Sequence, residues 1–479
     1  MVPTRRRSVL AVLGLSLVVG AAACTSPVGG TGATATVAPS SRVATSSSAG
    51  PACSTAYAAP DPHRPRVAQH FTFASDLTSV TGTEHVVFTP DRPISELVFR
   101  LTANTAPSVT EGNGIVVTSA SADHGGTAAR YTASGAPPST QGGLLHIDFA
   151  HQVSAGTAVT ADIAFTVTLG NQAFDRFGRT GDGAARYAWI GSAEPLLSWE
   201  RGYGWHSEDL IQFTAESATS EAMDTDLTVT APGADTVIMS GDPLPPAASA
   251  SPRTWHARIA TARDVSVAVG PFAVADTMVG PTRLRVGAYS AEERDSLVPQ
   301  FQRALTMLTA RFGPFPFPSL SVARLPAQGG GIEYPSSIMM LDGGQLVAVH
   351  ETAHQWFYAM LGDSQALHPW LDEAFASYAE QLVNNDAGPA SALAVKGAVD
   401  RSTESYATNV NSYYFITYNK GSAALQAART AAGGAPWDAA VRCYVAANAW
   451  RIVNPPDFEK AVAQFPASVA ILRKAGALP

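Results

Sequence analysis

His350-Glu351-Thr352-Ala353-His354, followed after eighteen intervening residues by Glu373, is the stretch from which the rest of the chain can be read. Leu346-Val347-Ala348-Val349 leads in, Trp356-Phe357-Tyr358-Ala359-Met360 leads out, and neither Pro nor Gly occurs from Gln345 to Leu361, so the spacing predicts a helix throughout. Histidines four apart share one helix face. Their imidazoles can converge on one metal ion, with Glu351 beside the metal rather than on it. Such a site needs a third protein ligand and an open position for water. Glu373 lies in Trp370-Leu371-Asp372-Glu373-Ala374-Phe375-Ala376-Ser377-Tyr378, where Leu371, Phe375, Tyr378 and Leu382 recur at helical spacing. A helix, a short loop and a returning helix would bring that carboxylate to the two imidazoles. His350, His354 and Glu373 then form the ligand set of a catalytic zinc site, with one Zn2+ per chain. The competing interpretation is a core helix whose histidines merely hydrogen-bond to neighbours; a glutamate at a metal-compatible offset disfavours it.

His350 to Phe357 with Glu373 resembles the gluzincin signature of the aminopeptidase N family, which also includes leukotriene hydrolase. Gly330-Gly331-Ile332-Glu333-Tyr334-Pro335 is similar to that family's G-x-M-E-N exopeptidase motif, with Ile332 for Met and Tyr334 for Asn. Tyr418-Asn419-Lys420-Gly421 resembles its Y-x-K-G segment, and the three motifs occur in the family's order. The resemblance implies an all-β N-terminal domain of packed sheets followed by an α+β, thermolysin-like catalytic domain. It implies Glu351 as general base, Tyr418 as donor to the oxyanion, and Glu333 as the carboxylate that grips a substrate's free α-amine. Gly330 and Gly331 would let a peptide approach closely. His368, Asp363 and Asp372 are expected at the surface or around the ligands, because the zinc has no vacancy for them.

The 479 residues suffice for two or three domains. Charged residues make up 15%, the formal net charge is −8, and no basic run or aromatic-basic interleaving points to nucleic acid. Arg5-Arg6-Arg7, an apolar run from Val9 to Val19 and Gly20-Ala21-Ala22-Ala23 before Cys24 have the order of a secretory signal over residues 1–23. Cys24 after small residues resembles a bacterial lipobox, so a lipid anchor on Cys24 at the extracytoplasmic membrane face is expected, with plain secretion as the alternative. Arg6-Arg7 is also compatible with twin-arginine export. If Cys24 carries lipid, Cys53 and Cys443 remain as a potential pair in an oxidising compartment, and sequence leaves their geometry open.

Residues 24–59 read as a disordered Ser/Thr/Ala/Pro spacer. Residues 60–275 show short apolar-polar alternation, among them Phe71–Phe73, Glu84–Phe88, Ile94–Leu101, Ile115–Val117, Leu144–Phe149, Ile163–Leu169, Asp226–Thr230, Thr236–Met239 and Val265–Val269, and predict the β domain. The aromatic stretch Pro195–Trp205 is expected either in buried packing or as one cleft wall. Residues 276–479 predict the catalytic domain: a helix over Ser290–Phe312, strands at Leu320–Leu325 and Ile338–Leu341, the HExxH helix, then a short helical remainder. That remainder leaves no room for the long C-terminal helical domain of large family members, so a more open cleft is expected. The function implied is an aminopeptidase acting on peptides with a free N-terminus. The alternatives are an endopeptidase or other hydrolase on the same scaffold, or a non-catalytic zinc-containing lipoprotein.

Overall fold

Along Arg66–Phe73 every second residue is buried, and the same alternation runs through Ser79–Phe88 and Val159–Thr168, as a sheet with one wet face requires. The computed structural model describes residues 53–479 except 55, 127, 172–175, 214–218, 234, 244–245, 247–250, 328, 342, 387 and 389. The expected signal peptide, Cys24 and most of the spacer lie outside the described residues.

The alternating strands form a six-stranded sheet in the order Arg253–Ala262, Met223–Ala231, Arg66–Phe73, Ser79–Phe88, Val159–Thr168, Gly114–Ala122. Its apolar face is covered by two four-stranded sheets: Phe71, Phe165 and Leu227 share one core with Leu97 and Leu145 of the second sheet and Val267 and Val269 of the third. Trp199 and Trp205 pack against each other and against Phe88. The aromatic stretch therefore serves the β core and is not among the residues that line the metal cleft.

A separate five-stranded sheet follows, ordered Ala273–Val279, Thr282–Ala288, Ser319–Arg324, Ser337–Met340, Gly331–Tyr334. Thr282–Ala288 and Ser319–Arg324 run parallel, which demands a crossover. The helix Ala291–Phe312 supplies it, capped by Ser290, whose hydroxyl accepts from the Glu293 N–H at 3.1 Å. Its buried Leu297, Phe301 and Leu305 meet Leu320, Ile338 and Ala348, so the sheet carries the helix Gln345–Ala353 directly. The strand Gly331–Tyr334 forms the sheet edge and pairs antiparallel with Ser337–Met340. Beyond Pro369 come helices, among them Trp370–Asn384, Gly421–Ala432, Gly434–Ala447, Pro455–Val462 and Pro466–Ala475. They close around Trp370, Phe375, Trp437, Tyr444 and Phe458. No helix of the described residues is long and apolar enough to cross a membrane.

Two features depart from the expectations. The helix predicted to continue to Leu361 stops at Ala353, with His354 as its C-cap. Trp356, Phe357 and Met360 are all buried and Tyr358 takes φ 118°. Burying these consecutive large side chains in different directions outweighs continuing the helix. The second is the spacer boundary. Cys53 is disulfide-bonded to Cys443, and the Ala58 N–H donates to the Ala446 carbonyl at 2.9 Å, so the described residues from Cys53 onward are fixed to the helical half.

Candidate metal centre

His350 lies in the last turn of the HExxH helix, His354 caps it, and Glu373 sits in the first turn of Trp370–Asn384. The sequence-predicted triad is assembled: one ligand atom from each lies within 4.8 Å of the others. His350 Nε2 is 3.1 Å and His354 Nε2 3.5 Å from Glu373 Oε2. Ligands bound tetrahedrally to zinc at about 2.0–2.2 Å stand about 3.3 Å apart, so these separations suit that ion. Both imidazoles are oriented from behind. His350 Nδ1 faces Glu380 Oε1 at 2.6 Å and His354 Nδ1 faces the Phe357 carbonyl at 3.1 Å. Each acceptor fixes the proton on Nδ1 and leaves Nε2 for a metal.

The electrostatics agree with a cation at this position. Burial opposes charging His354, yet Glu333 and Glu373 override it and push the imidazole up to about 9. Burial would raise Glu373 too, but hydrogen bonds and charge from His350 and His354 pull it down to about 2. Protons are drawn to the very place where a divalent ion would sit. Glu351 is 4% exposed, and burial raises its carboxyl to about 8 against the pull of both histidines.

Glu351 reaches the cleft only because residue 331 is glycine: a Cβ there would stand 2.4 Å from Glu351 Cγ. Gly331 was expected to admit a peptide, and what its missing side chain admits is Glu351. Gly330 faces open space. Glu333, two residues along the edge strand, is buried, and it forms a close group with His354 and Asp372. Gln365 Nε2 donates to Asp372 Oδ2 at 3.0 Å and lies 3.4 Å from Glu333 Oε1, a neutral donor between two carboxylates. Asp372 Oδ1 accepts the Glu373 N–H at 2.6 Å. Asp372 and Asp363 are not at the surface: both are buried, and burial raises both carboxyls well above their usual range. His368 turns to Asp400 at 2.7 Å. No motif marked Glu380 or Gln365. Glu380 could have been found from its position seven residues, two helical turns, beyond Glu373; Gln365 lies in a loop without periodicity.

Tyr418 also arrives at the metal position. Its hydroxyl donates to Glu373 Oε1, and its ring stacks on His350 with centroids 5.7 Å apart. It stands on a π-helix, Tyr414–Lys420, a form concentrated at functional sites. Tyr418 also packs in an aromatic cluster: Tyr413 and Tyr414 lie 5.5 and 5.4 Å from its ring. Gly421 allows this approach, since a Cβ there would come within 2.6 Å of Ala374 Cβ beside Glu373. His350, Glu351, His354, Glu373, Glu333, Gly330, Gly331 and Tyr418 all line one cleft of about 650 Å3.

Residues 335–473 match the peptidase family M1 domain. No curated protein matches the chain. Solved structures do. An M1 zinc metallopeptidase from Deinococcus radiodurans is similar at 20% identity and TM-score 0.62, covering 89% of this chain and 96% of the other. A mutant from the same organism bound to a Tyr-Ser-Ala substrate is similar at 18% identity and TM-score 0.61, covering 87% and 95%. A two-domain M1 zinc metallopeptidase mutant bound to L-tryptophan gives 19% and 0.64, covering 89% and 97%. These likenesses establish a shared two-domain fold, and the matched segment contains the whole His350–His354–Glu373 triad. Residues 335–473 are therefore a peptidase family M1 domain, set in a chain that shares the fold of two-domain M1 zinc metallopeptidases.

Proposed function

We propose that this peptidase is a zinc aminopeptidase. The observation that carries the proposal is Glu333: a buried carboxylate on an edge strand, beside His354 and open to the same cleft as the metal ligands. A carboxylate there offers charge-assisted hydrogen bonds to a protonated α-amine, and holds the first peptide bond next to the metal.

His350, His354 and Glu373 would hold the zinc, which would supply Lewis acidity toward a water and the scissile carbonyl. Glu351, in the gap left by Gly331, takes the proton from the water and returns it to the leaving amine. Tyr418 keeps its phenolic proton, because burial and the neighbouring Glu373 raise it well above the ordinary value. It donates that proton's hydrogen bond to the carbonyl oxygen as charge builds there. Glu380 and the Phe357 carbonyl keep both imidazoles in register throughout.

A peptide with a free N-terminus is to be compared with its acetylated twin, on protein that retains residues 53–479. The free peptide is cleaved and the twin is not. Glu333→Gln lowers the preference about 10–100-fold, chiefly through KM, as expected for loss of a hydrogen bond to a charged group. Equal cleavage of both peptides by the parent enzyme rules out the exopeptidase assignment.

The proposal includes export. Residues 1–23 direct the chain across the membrane, and Cys24 carries a lipid that holds the enzyme at the extracytoplasmic face. Its support is the order of basic, apolar and small residues before Cys24, and the bonding of the other two cysteines to each other suits an oxidising compartment. Mass spectrometry of the mature N-terminus checks it: diacylated Cys24 is expected, and an unmodified terminus beyond Cys24 contradicts it.

A further inference from the structure

The HExxH helix ends on its second ligand: the His354 N–H still donates to the His350 carbonyl at 3.3 Å, while its ring is held by the turn that follows, through the Phe357 carbonyl. In that turn the Ala359 N–H donates to the His354 carbonyl, the Leu361 N–H to the Trp356 carbonyl, and the Trp356 N–H to the Ala353 carbonyl, at 2.9, 2.9 and 3.0 Å. Trp356 is the pivot of the set. Its indole is fully buried, and a buried indole N–H needs an acceptor. That acceptor is the hydroxyl of Tyr57, at 3.1 Å, across 299 residues of sequence. Tyr57 in turn donates to the Pro314 carbonyl. The backbone at Gly313, with φ 112°, is shaped around the phenol: a Cβ there would stand 2.9 Å from its oxygen. The turn is also held by Arg263, which donates to the carbonyls of Tyr358 and Met360, and by Gln355, which donates to the Tyr334 carbonyl. Tyr57 differs from those two in its place in the chain: it precedes the first strand of the β domain, packs against the helical core, and is fastened there by the Cys53–Cys443 bond and the Ala58–Ala446 hydrogen bond.

We infer that the stretch around Tyr57 is a disulfide-fastened strap that completes the metal centre from outside, with Tyr57 as a positioning residue for the turn that carries His354. The strap makes metal retention, and not stability alone, depend on the Cys53–Cys443 bond. The inference rests on the metal triad and is independent of the aminopeptidase assignment.

The test compares zinc-loaded parent protein with Tyr57→Phe, with a Cys53→Ser/Cys443→Ser double variant, and with Val462→Ala. Val462 is buried in the same helical core and serves as a control for general destabilisation. Zinc release into excess chelator is followed well below the unfolding temperature, with hydrogen exchange of the Trp356 to Leu361 amides. Both strap variants are expected to release zinc about tenfold faster, the size usual for loss of an outer support to a metal ligand, and to exchange those amides faster. Val462→Ala lowers the melting temperature while leaving both readouts at parent values. Release at the parent rate in Tyr57→Phe, or equal acceleration in Val462→Ala, overturns the inference. Tyr57→Phe keeps the disulfide, so it decides the matter even if the double variant does not fold. A change in Glu333→Gln specificity would bear on the aminopeptidase proposal and leave this one untouched.

Discussion

The helices Gln345–Ala353 and Trp370–Asn384 serve the same metal position and are held in opposite ways. The first has nine residues, no side-chain cap at Gly344, and a second ligand beyond its last turn. Isolated helices of fewer than about 12–15 residues are marginal in water, so this one is stable only through the groups that converge on it: Arg263, Gln355 and Tyr57 at its exit, the five-stranded sheet beneath it. The second has fifteen residues, ends in a left-handed Asn385, and carries Asp372 and Glu373 in its first turn, where the helix dipole favours carboxylates. It also supports the first, through Glu380 on His350 Nδ1. A ligand on a self-sufficient helix follows from local pattern, whereas ligands on a borrowed one depend on residues scattered over the chain.

The largest expected effect breaks the chemistry and spares both helices. Glu351→Gln should lower kcat about 10^3-fold, within the usual range for a general base, with zinc content by metal analysis unchanged; a parallel loss of zinc would mean that Glu351 supports the short helix instead. Next in size is the link between the helices. Glu380→Gln should weaken zinc binding about 10–100-fold in chelator competition and leave the Glu373 helix intact by circular dichroism. Unchanged affinity would show that the short helix does not depend on its neighbour.

The smallest effect sharpens a related contrast, between two buried carboxylates. Glu373 is drawn down by the imidazoles around it. Glu194, fully buried in the β domain, is pushed by burial and by Asp264 up to about 8 from an ordinary 4.5. A folded-state value above the unfolded one means that relative stability, complete below about 4.5, is lost as pH rises through 8. Glu194→Gln removes that loss, so the melting temperature of the variant should gain on the parent between pH 5 and pH 9, by a few degrees. A gap independent of pH would show that Glu194 is no more protonated folded than unfolded.

Much of the site was legible because its residues sit on periodic elements or in short motifs. The histidines, Glu351 and Glu373 follow from helical spacing, while Glu333 and Tyr418 follow from resemblance to the gluzincin motifs. The β domain was legible for a similar reason, since a sheet with one wet face writes its alternation into Arg66–Phe73 and Ser79–Phe88. The length of the HExxH helix was not. Nothing between His354 and Leu361 breaks a helix locally; Trp356, Phe357 and Tyr358 leave it because the core rewards burying them apart. Gly331 illustrates the same limit, for its proximity to Glu351 joins a strand edge to a helix and has no local signature.

By itself the sequence singled out the His350–His354–Glu373 group that the fold brings together and the class of each half of the chain, because spacing of 2 and 3.6 residues is a property of short segments. Tertiary structure alone decided that Cys53 meets Cys443, that Tyr57 supports Trp356, and that the helix ends at His354, whose ring is held by the turn beyond it. The first two contacts join residues hundreds of positions apart, and the turn is shaped by core burial, so burial and hydrogen-bond satisfaction of the whole fold, and no local preference, determine which groups meet.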